Sequence, residues 1–202
     1  KTIEDALLEL KKIVKETRGT NLAYFPVLYL YVTKSIQKET SKHKKASNHI
    51  DDKKEFSPFD DNERMKRLDV IFANRYINAY YDWKNNKEIS KSWEIAFKFA
   101  VEDTSSMIMQ HLLLGMNAHI NLDLGIATVD ATSFENDESK AKCTYKGFNS
   151  IVDDFKTINK VLAALTKTVE DCLASNSFVF GLISKYGKGK EAIIANFSMQ
   201  YA

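Results

Sequence analysis

The chain has 202 residues, enough for one domain with a complete hydrophobic core, and its 44% hydrophobic and 28% charged content is ordinary for a globular protein. With 29 basic against 27 acidic residues, the formal net charge of +2 is too small and too evenly spread to call for nucleic acid or an anionic membrane as partner. The one local concentration of basic residues, Lys42 to Lys45, is soon followed by Asp51, Asp52, Glu55, Asp60 and Asp61 and reads as a solvated loop.

Seven Gly, two Pro and almost no period-two alternation predict helices nearly everywhere. A first helix covers about Ile3–Glu16, with Ile3, Leu7, Leu8, Leu10, Ile13 and Val14 on its apolar side. Thr20 or Asn21 can cap a second, which carries Phe25, Leu28, Tyr29, Val32 and Ile36 on one face. Pro26 falls in its first turns, where a missing N–H is harmless. A polar stretch, Glu39–Phe59, holds His43 and His49 and is expected to be a loop or insertion.

A third helix should start near Asp61 or Asn62 and run to Trp83, placing Leu68, Phe72, Arg75 and Ala79 on one stripe beside Tyr76, Tyr80 and Trp83. Arg75 thus falls where an apolar residue is expected. A fourth starts at Ser90 or Ser92, contains Trp93, Ala96, Phe97 and Ala100, and either breaks near Asp103–Ser106 or continues into the next segment. That segment, Met107–Val129, is the most informative of the chain. It is largely apolar, yet it carries Gln110, His111, Asn117, His119, Asn121 and Asp123, and buried polar groups are costly unless each finds a partner.

A polar loop is expected at about Ala131–Lys146, then a long helix over Phe148–Ala174, with Asp154 on an apolar stripe between Ile151, Ile158 and Val161. Phe178–Ile183 and Glu191–Tyr201 read as two short closing helices. The whole is an all-α, single-domain helical bundle over residues 1–202, of about six to eight helices around a buried central one. His111, Asn117, His119 and Asp123 interrupt the best candidate for a membrane span, and Cys143 and Cys172 have no metal-type spacing. A soluble, cytoplasmic protein with a reduced cysteine pair is the expectation. The start at Lys1 rather than Met leaves a removed leader open.

On a helix His111, Gly115, His119 and Asp123, each four apart, form one slowly drifting stripe about 18 Å long. His119 and Asp123 can share a divalent ion, or the carboxylate can fix the imidazole tautomer for acid–base work, with His111 as a further catalytic candidate. A metal such as zinc needs three or more ligands, and Asp69, Asp154 or His111, or His43 or His49 of the long loop if it folds back over the bundle, are candidates to complete the set with His119 and Asp123. Asn117, Asn121, Arg75 and Asn159 are candidates to bind a small-molecule substrate, Arg75 meeting an anionic group. No phosphate-binding glycine loop, GxSxG, HExxH or paired ExxH motif is present.

The stretch GMNAHINLDLGIA (Gly115–Ala127) resembles a bacterial family known only as domain of unknown function 5995. The likeness extends through FPVLYLYVT (Phe25–Thr33), RLDVIFANRY (Arg67–Tyr76), SWEIAF (Ser92–Phe97) and DDFKTIN (Asp153–Asn159). It implies an all-helical single domain in which His119, Asn121, Asp123, Asp69 and Asn159 matter, and it implies no particular activity. A fainter likeness, to zinc-dependent phospholipases C and single-strand nucleases, rests on the HxxxD spacing of His119 and Asp123. The Pro and His that follow in that motif are absent here. Three readings stay open: a metal or acid–base enzyme site, hydrolase-like; a ligand pocket without chemistry; and a structural polar network in a scaffold protein.

Overall fold

The structure, a computed structural model, describes residues 1–42, 57–102, 108–133 and 152–160. Helix α1 (Ile3–Glu16) begins where Thr2 and Asp5 exchange side-chain to backbone hydrogen bonds of 3.2 and 2.8 Å, a capping box that satisfies two N–H groups. It ends before Gly19, whose φ of +82° turns the chain at a position where a side chain would be strained. A short 3₁₀ turn (Asn21–Ala23) leads into α2 (Tyr24–Thr40), with Pro26 in its first turn.

Helix α3 (Asn62–Lys84) is capped by Asp61, whose carboxylate accepts from the N–H groups of Glu63 and Arg64 at 3.0 and 3.1 Å. Helix α4 spans Lys91–Glu102, and α5 spans Ile108–Ala118. A π-helical turn (His119–Asp123) then passes without a break into α6 (Leu124–Ser133). Residues 152–160 form a further helical segment.

The fold is all-α, and among the described residues there is no strand. Helix α1 packs on α2 and α3, α2 on α3 and α5, α3 on α6, and α4 on α5. Ring contacts pair Phe25 with Tyr76 and Tyr29 with Phe72, so α2 and α3 run antiparallel and Thr33 lies level with Leu68 and Asp69.

The buried apolar residues fall into two clusters. One gathers Leu10, Ile13, Phe25, Tyr29, Tyr76, Trp93 and Phe97; the other gathers Ile3, Ile36, Phe59, Met65, Leu68, Ala127 and Ala131. Between them along α2 sits Thr33, along α3 Asp69, and along the central helix His119 and Asp123, all four buried. The core is therefore crossed by a polar layer.

The buried stripe of the central helix keeps a strict four-residue step through His111, Gly115, His119, Asp123, Ala127 and Ala131. Over that length an ideal α-helix would swing the stripe by about 200°. The π turn, in which the Leu124 N–H reaches back to the His119 carbonyl, inserts one residue and takes back about half of that swing. Gly115 lets α2 approach, since a Cβ there would stand 2.5 Å from the Phe25 ring.

By length and composition the helical stretch Gln110–Ala131, of mean hydropathy 1.2, could cross a membrane, and 33% of that window is buried inside the protein. His119 and Asp123 lie on its buried side.

Structure and expectation agree on the bounds of α1, and on those of α3 to within one residue at its end, but on α1 Leu8 faces solvent, 54% exposed, and Val14 is only half-buried. The buried face of α2 differs: Thr33 and Thr40 lie fully inside, while Leu28 and Val32 are only half-buried. The start of the polar loop expected at Ala131 is still helical to Ser133. His43, His49, the junction at 103–107, Cys143, Cys172, the rest of the long C-terminal helix and the two closing helices lie outside the described residues.

Candidate functional site

Asp123 sits at the C-terminal end of the π turn, 1% exposed, and receives three donors from three elements. Arg75 Nε of α3 donates to Oδ1 at 2.8 Å, Trp93 Nε1 of α4 donates to Oδ2 at 2.8 Å, and His119 Nδ1 lies 3.4 Å from Oδ2. Burial pushes this carboxyl up, but the three hydrogen bonds together outweigh it and hold the group below its ordinary range. Asp123 is thus a carboxylate. Facing it, His119 Nδ1 must carry the proton, which leaves Nε2 with a free lone pair.

The imidazole is wedged among aromatic rings. It stacks on Phe72 at 3.5 Å between centroids and 5° between planes, and meets Tyr29 edge-on at 4.4 Å. Phe25 and Trp93 close the ring at 5.4 and 6.0 Å. Burial drives the His119 pKa down to about 4; the bond and charge of Asp123 oppose this, and Arg75 adds to it. His119 is neutral near pH 7, and its Nε2 has no hydrogen-bond partner among the described residues.

Asp69, one turn before Phe72 on α3, is the opposite case. It is 6% exposed, its Oδ2 has no hydrogen-bond partner among the described residues, and burial raises its pKa to about 7. Tyr29 Oη and Thr33 Oγ1, both on the inner face of α2, are likewise buried without a partner. Burial pushes the Tyr29 hydroxyl well up, and the charges of Asp69 and Asp123 add to it, as befits neighbours.

The other sequence candidates scatter. His111 packs between Tyr24 and Phe99, at 5.9 and 5.0 Å, two turns or about 12 Å along the helix from His119. Asn117 and Asn121 are exposed and hydrogen-bond each other at 2.6 Å. Asn159 is half-buried on the 152–160 segment, whose Phe155 and Ile158 pack on the second cluster.

Asp154 is buried but engaged elsewhere: Arg64 Nη2 donates to its Oδ2 at 2.5 Å and the Asp60 N–H to its Oδ1 at 2.7 Å. Arg64 precedes Phe72 on α3 by about 12 Å of helix rise. The set His119, Asp123, Asp69 and Asp154 is therefore not drawn together, and no three His, Cys, Asp or Glu side chains among the described residues could hold a metal ion.

What the sequence reading did not single out is Trp93 as a donor to Asp123, and Tyr29 and Thr33 as members of the polar layer. A buried indole needs an acceptor for its N–H, which is a usable signal for Trp93. For Thr33 the i,i+4 spacing from Tyr29 was available, but its burial depends on how α2 rolls against α3.

Arg75 also reaches the surface. Its side chain is 32% exposed and borders a groove of about 890 Å³, whose other walls include Gln37, Lys66, Arg67, Asn74 and Asn78.

The chain belongs to the family of unknown function DUF5995, whose model matches residues 3–202. No curated protein and no solved structure matches it.

Proposed function

We propose that the protein is an acid–base enzyme, hydrolase-like, whose reacting group is His119. The observation that carries this reading is a neutral imidazole with Nδ1 pinned to a carboxylate and Nε2 buried without a partner. Leaving such an atom unpaired costs about 1–3 kcal/mol, which is tolerated where the atom has work to do. The π turn that presents His119 and Asp123 supports the same reading, since such insertions concentrate at functional sites.

In this role Nε2 takes a proton from water or substrate, and Asp123 fixes the tautomer and stabilises the imidazolium that forms. Trp93 and Arg75 hold Asp123 in place. Arg75 has donors left over at the groove, where it would meet an anionic part of a small-molecule substrate. A divalent ion such as zinc at His119 and Asp123 would need Nδ1 released and further ligands from outside the described residues, so acid–base chemistry carries the proposal.

The test is a panel of small ester, amide and phosphoester substrates given to the native protein and to His119→Gln. The proposal expects turnover that falls on the order of 10²-fold or more in the variant. Turnover unchanged in His119→Gln, or none by the native protein on any substrate class, would contradict it.

One observation favours a second reading. Asp123 ties α3, α4 and the π turn together and is sealed from solvent, as a structural network would require. On that reading Asp123→Ala loses stability, and the native protein has no substrate.

A further inference from the structure

The polar layer has a satisfied side and an unsatisfied side. Asp123 has three donors, whereas four buried polar atoms, Tyr29 Oη, Thr33 Oγ1, Asp69 Oδ2 and His119 Nε2, have no partner among the described residues. They come from three elements, α2, α3 and the π turn: α3 packs on the other two, and the Tyr29 ring of α2 meets the His119 ring of the π turn.

Several observations bring them to one place. The Tyr29 and His119 rings are 4.4 Å apart, His119 lies flat on Phe72, and Asp69 is one turn from Phe72 on the same helix. The antiparallel register of α2 and α3 sets Thr33 level with Asp69. The Asp69 charge is felt at the Tyr29 hydroxyl.

Thr33 is informative in its own right. A helical threonine commonly donates to the carbonyl four residues back, as Thr17 does to Ile13 at 2.8 Å and Thr40 to Ile36 at 2.7 Å. Thr33 sits in the same kind of helix and makes no such bond. Its hydroxyl is left for something else.

We infer that Tyr29, Thr33, Asp69 and His119 form an internal binding site for a small neutral molecule that both donates and accepts hydrogen bonds. Water is the smallest such molecule, and a carbonyl compound such as an amide or ester is the kind that would react. The donors are hydroxyls: those of Tyr29 and Thr33, together with Asp69 in its protonated form, which burial keeps populated near neutral pH. His119 Nε2 is the acceptor. The cation of the layer, Arg75, is engaged by Asp123 Oδ1. An anion placed among these four atoms would be stripped of water with no charge to balance it, which selects against phosphate and carboxylate at this point.

The site deepens the acid–base reading: a carbonyl bound here would rest its oxygen on the hydroxyl donors, with His119 Nε2 beside the attacking water. The binding claim is separable from turnover, because its readouts move whether or not a reaction follows.

The experiment is a crystal structure of the native protein at a resolution that shows ordered water, repeated after soaking in acetamide and, separately, in inorganic phosphate. Infrared spectra of native protein and Asp69→Asn accompany it. Density bonded to at least three of the four atoms is expected, together with a carboxylic acid C=O band that Asp69→Asn removes. Water that acetamide does not displace identifies water as the occupant, and acetamide in its place identifies a carbonyl ligand. Both outcomes support the site. A space with no density, phosphate bound to these four groups, or no acid band lost in Asp69→Asn near pH 6 would overturn it. If the site stands while His119→Gln retains full turnover, the catalytic reading fails and the binding site survives.

Discussion

Two regions of this molecule bury carboxylates, and they do so in opposite ways. At the start of α3, Asp154 is closed off by Arg64 and the Asp60 N–H, so a charge of each sign is buried with its complement. In the layer between the two apolar clusters, Asp123 is similarly answered, but Asp69 Oδ2 is buried with no hydrogen-bond partner among the described residues. The first region is an ion-paired clamp that docks the 152–160 segment on α3. The second has open valences beside a neutral histidine. Stability explains the clamp; it gives no reason for a bare Asp69, Thr33 and His119 Nε2 in one layer.

The comparison can be broken most forcefully at the clamp. Asp154→Ala takes the carboxylate away from the Arg64 guanidinium, itself 4% exposed, and should cost about 3–5 kcal/mol in urea unfolding. Asp123→Ala should cost less, about 1–3 kcal/mol, because Arg75 is partly in water and can turn to solvent. If the two losses came out equal, the distinction between a sealed clamp and a layer open on one edge would not hold. Gly115→Ala should cost about 1–3 kcal/mol by driving its Cβ into Phe25, and its thermal midpoint would show whether α2 can yield.

Asp69 sharpens the contrast through pH. Its folded pKa of about 7 lies above the unfolded value near 3.8, so the native state holds the proton more tightly. The stability this confers is complete below the unfolded pKa and is lost as pH rises toward and through 7. His119 has the opposite sign: its pKa of about 4 lies below the ordinary 6.5, so it stabilises above 6.5 and loses that as pH falls toward 4. Asp69→Asn, neutral at every pH, should flatten the decline in thermal midpoint between pH 5 and 8 and be at least as stable as the native protein at pH 8. A variant with the native pH dependence would remove Asp69 from the account. The smallest effect belongs to Asn121→Ala, within about 0.5 kcal/mol by urea unfolding, since its bond to Asn117 lies on the exposed face.

Much of this was legible in the residues. The apolar period set the bounds of α1, and Asp61 or Asn62 the start of α3, where the Asp61 carboxylate does cap the helix, because capping is local chemistry. His119 and Asp123 stood out as an i,i+4 pair in an apolar run, and Arg75 as a charge on an apolar stripe; the structure joins all three. The π turn was not legible, since its inserted residue answers to tertiary packing rather than to any local signal. For the same reason His111 and Asp154 read as companions of His119: a helical stripe and an apolar neighbourhood are shared by residues two turns or a whole helix apart. Thr33 was missed because its burial depends on the roll of α2, which a single helix does not encode.

The central claim is that His119 is a neutral imidazole, protonated on Nδ1 toward Asp123, with Nε2 bare. Nitrogen-15 NMR of histidine-labelled protein, with His119→Gln to assign the resonance, reads this directly. The account predicts an unprotonated Nε2 from pH 8 down to pH 5, with protonation only as pH approaches about 4. A His119 that carries its proton on Nε2 at pH 7, or that titrates near 6.5, would contradict it.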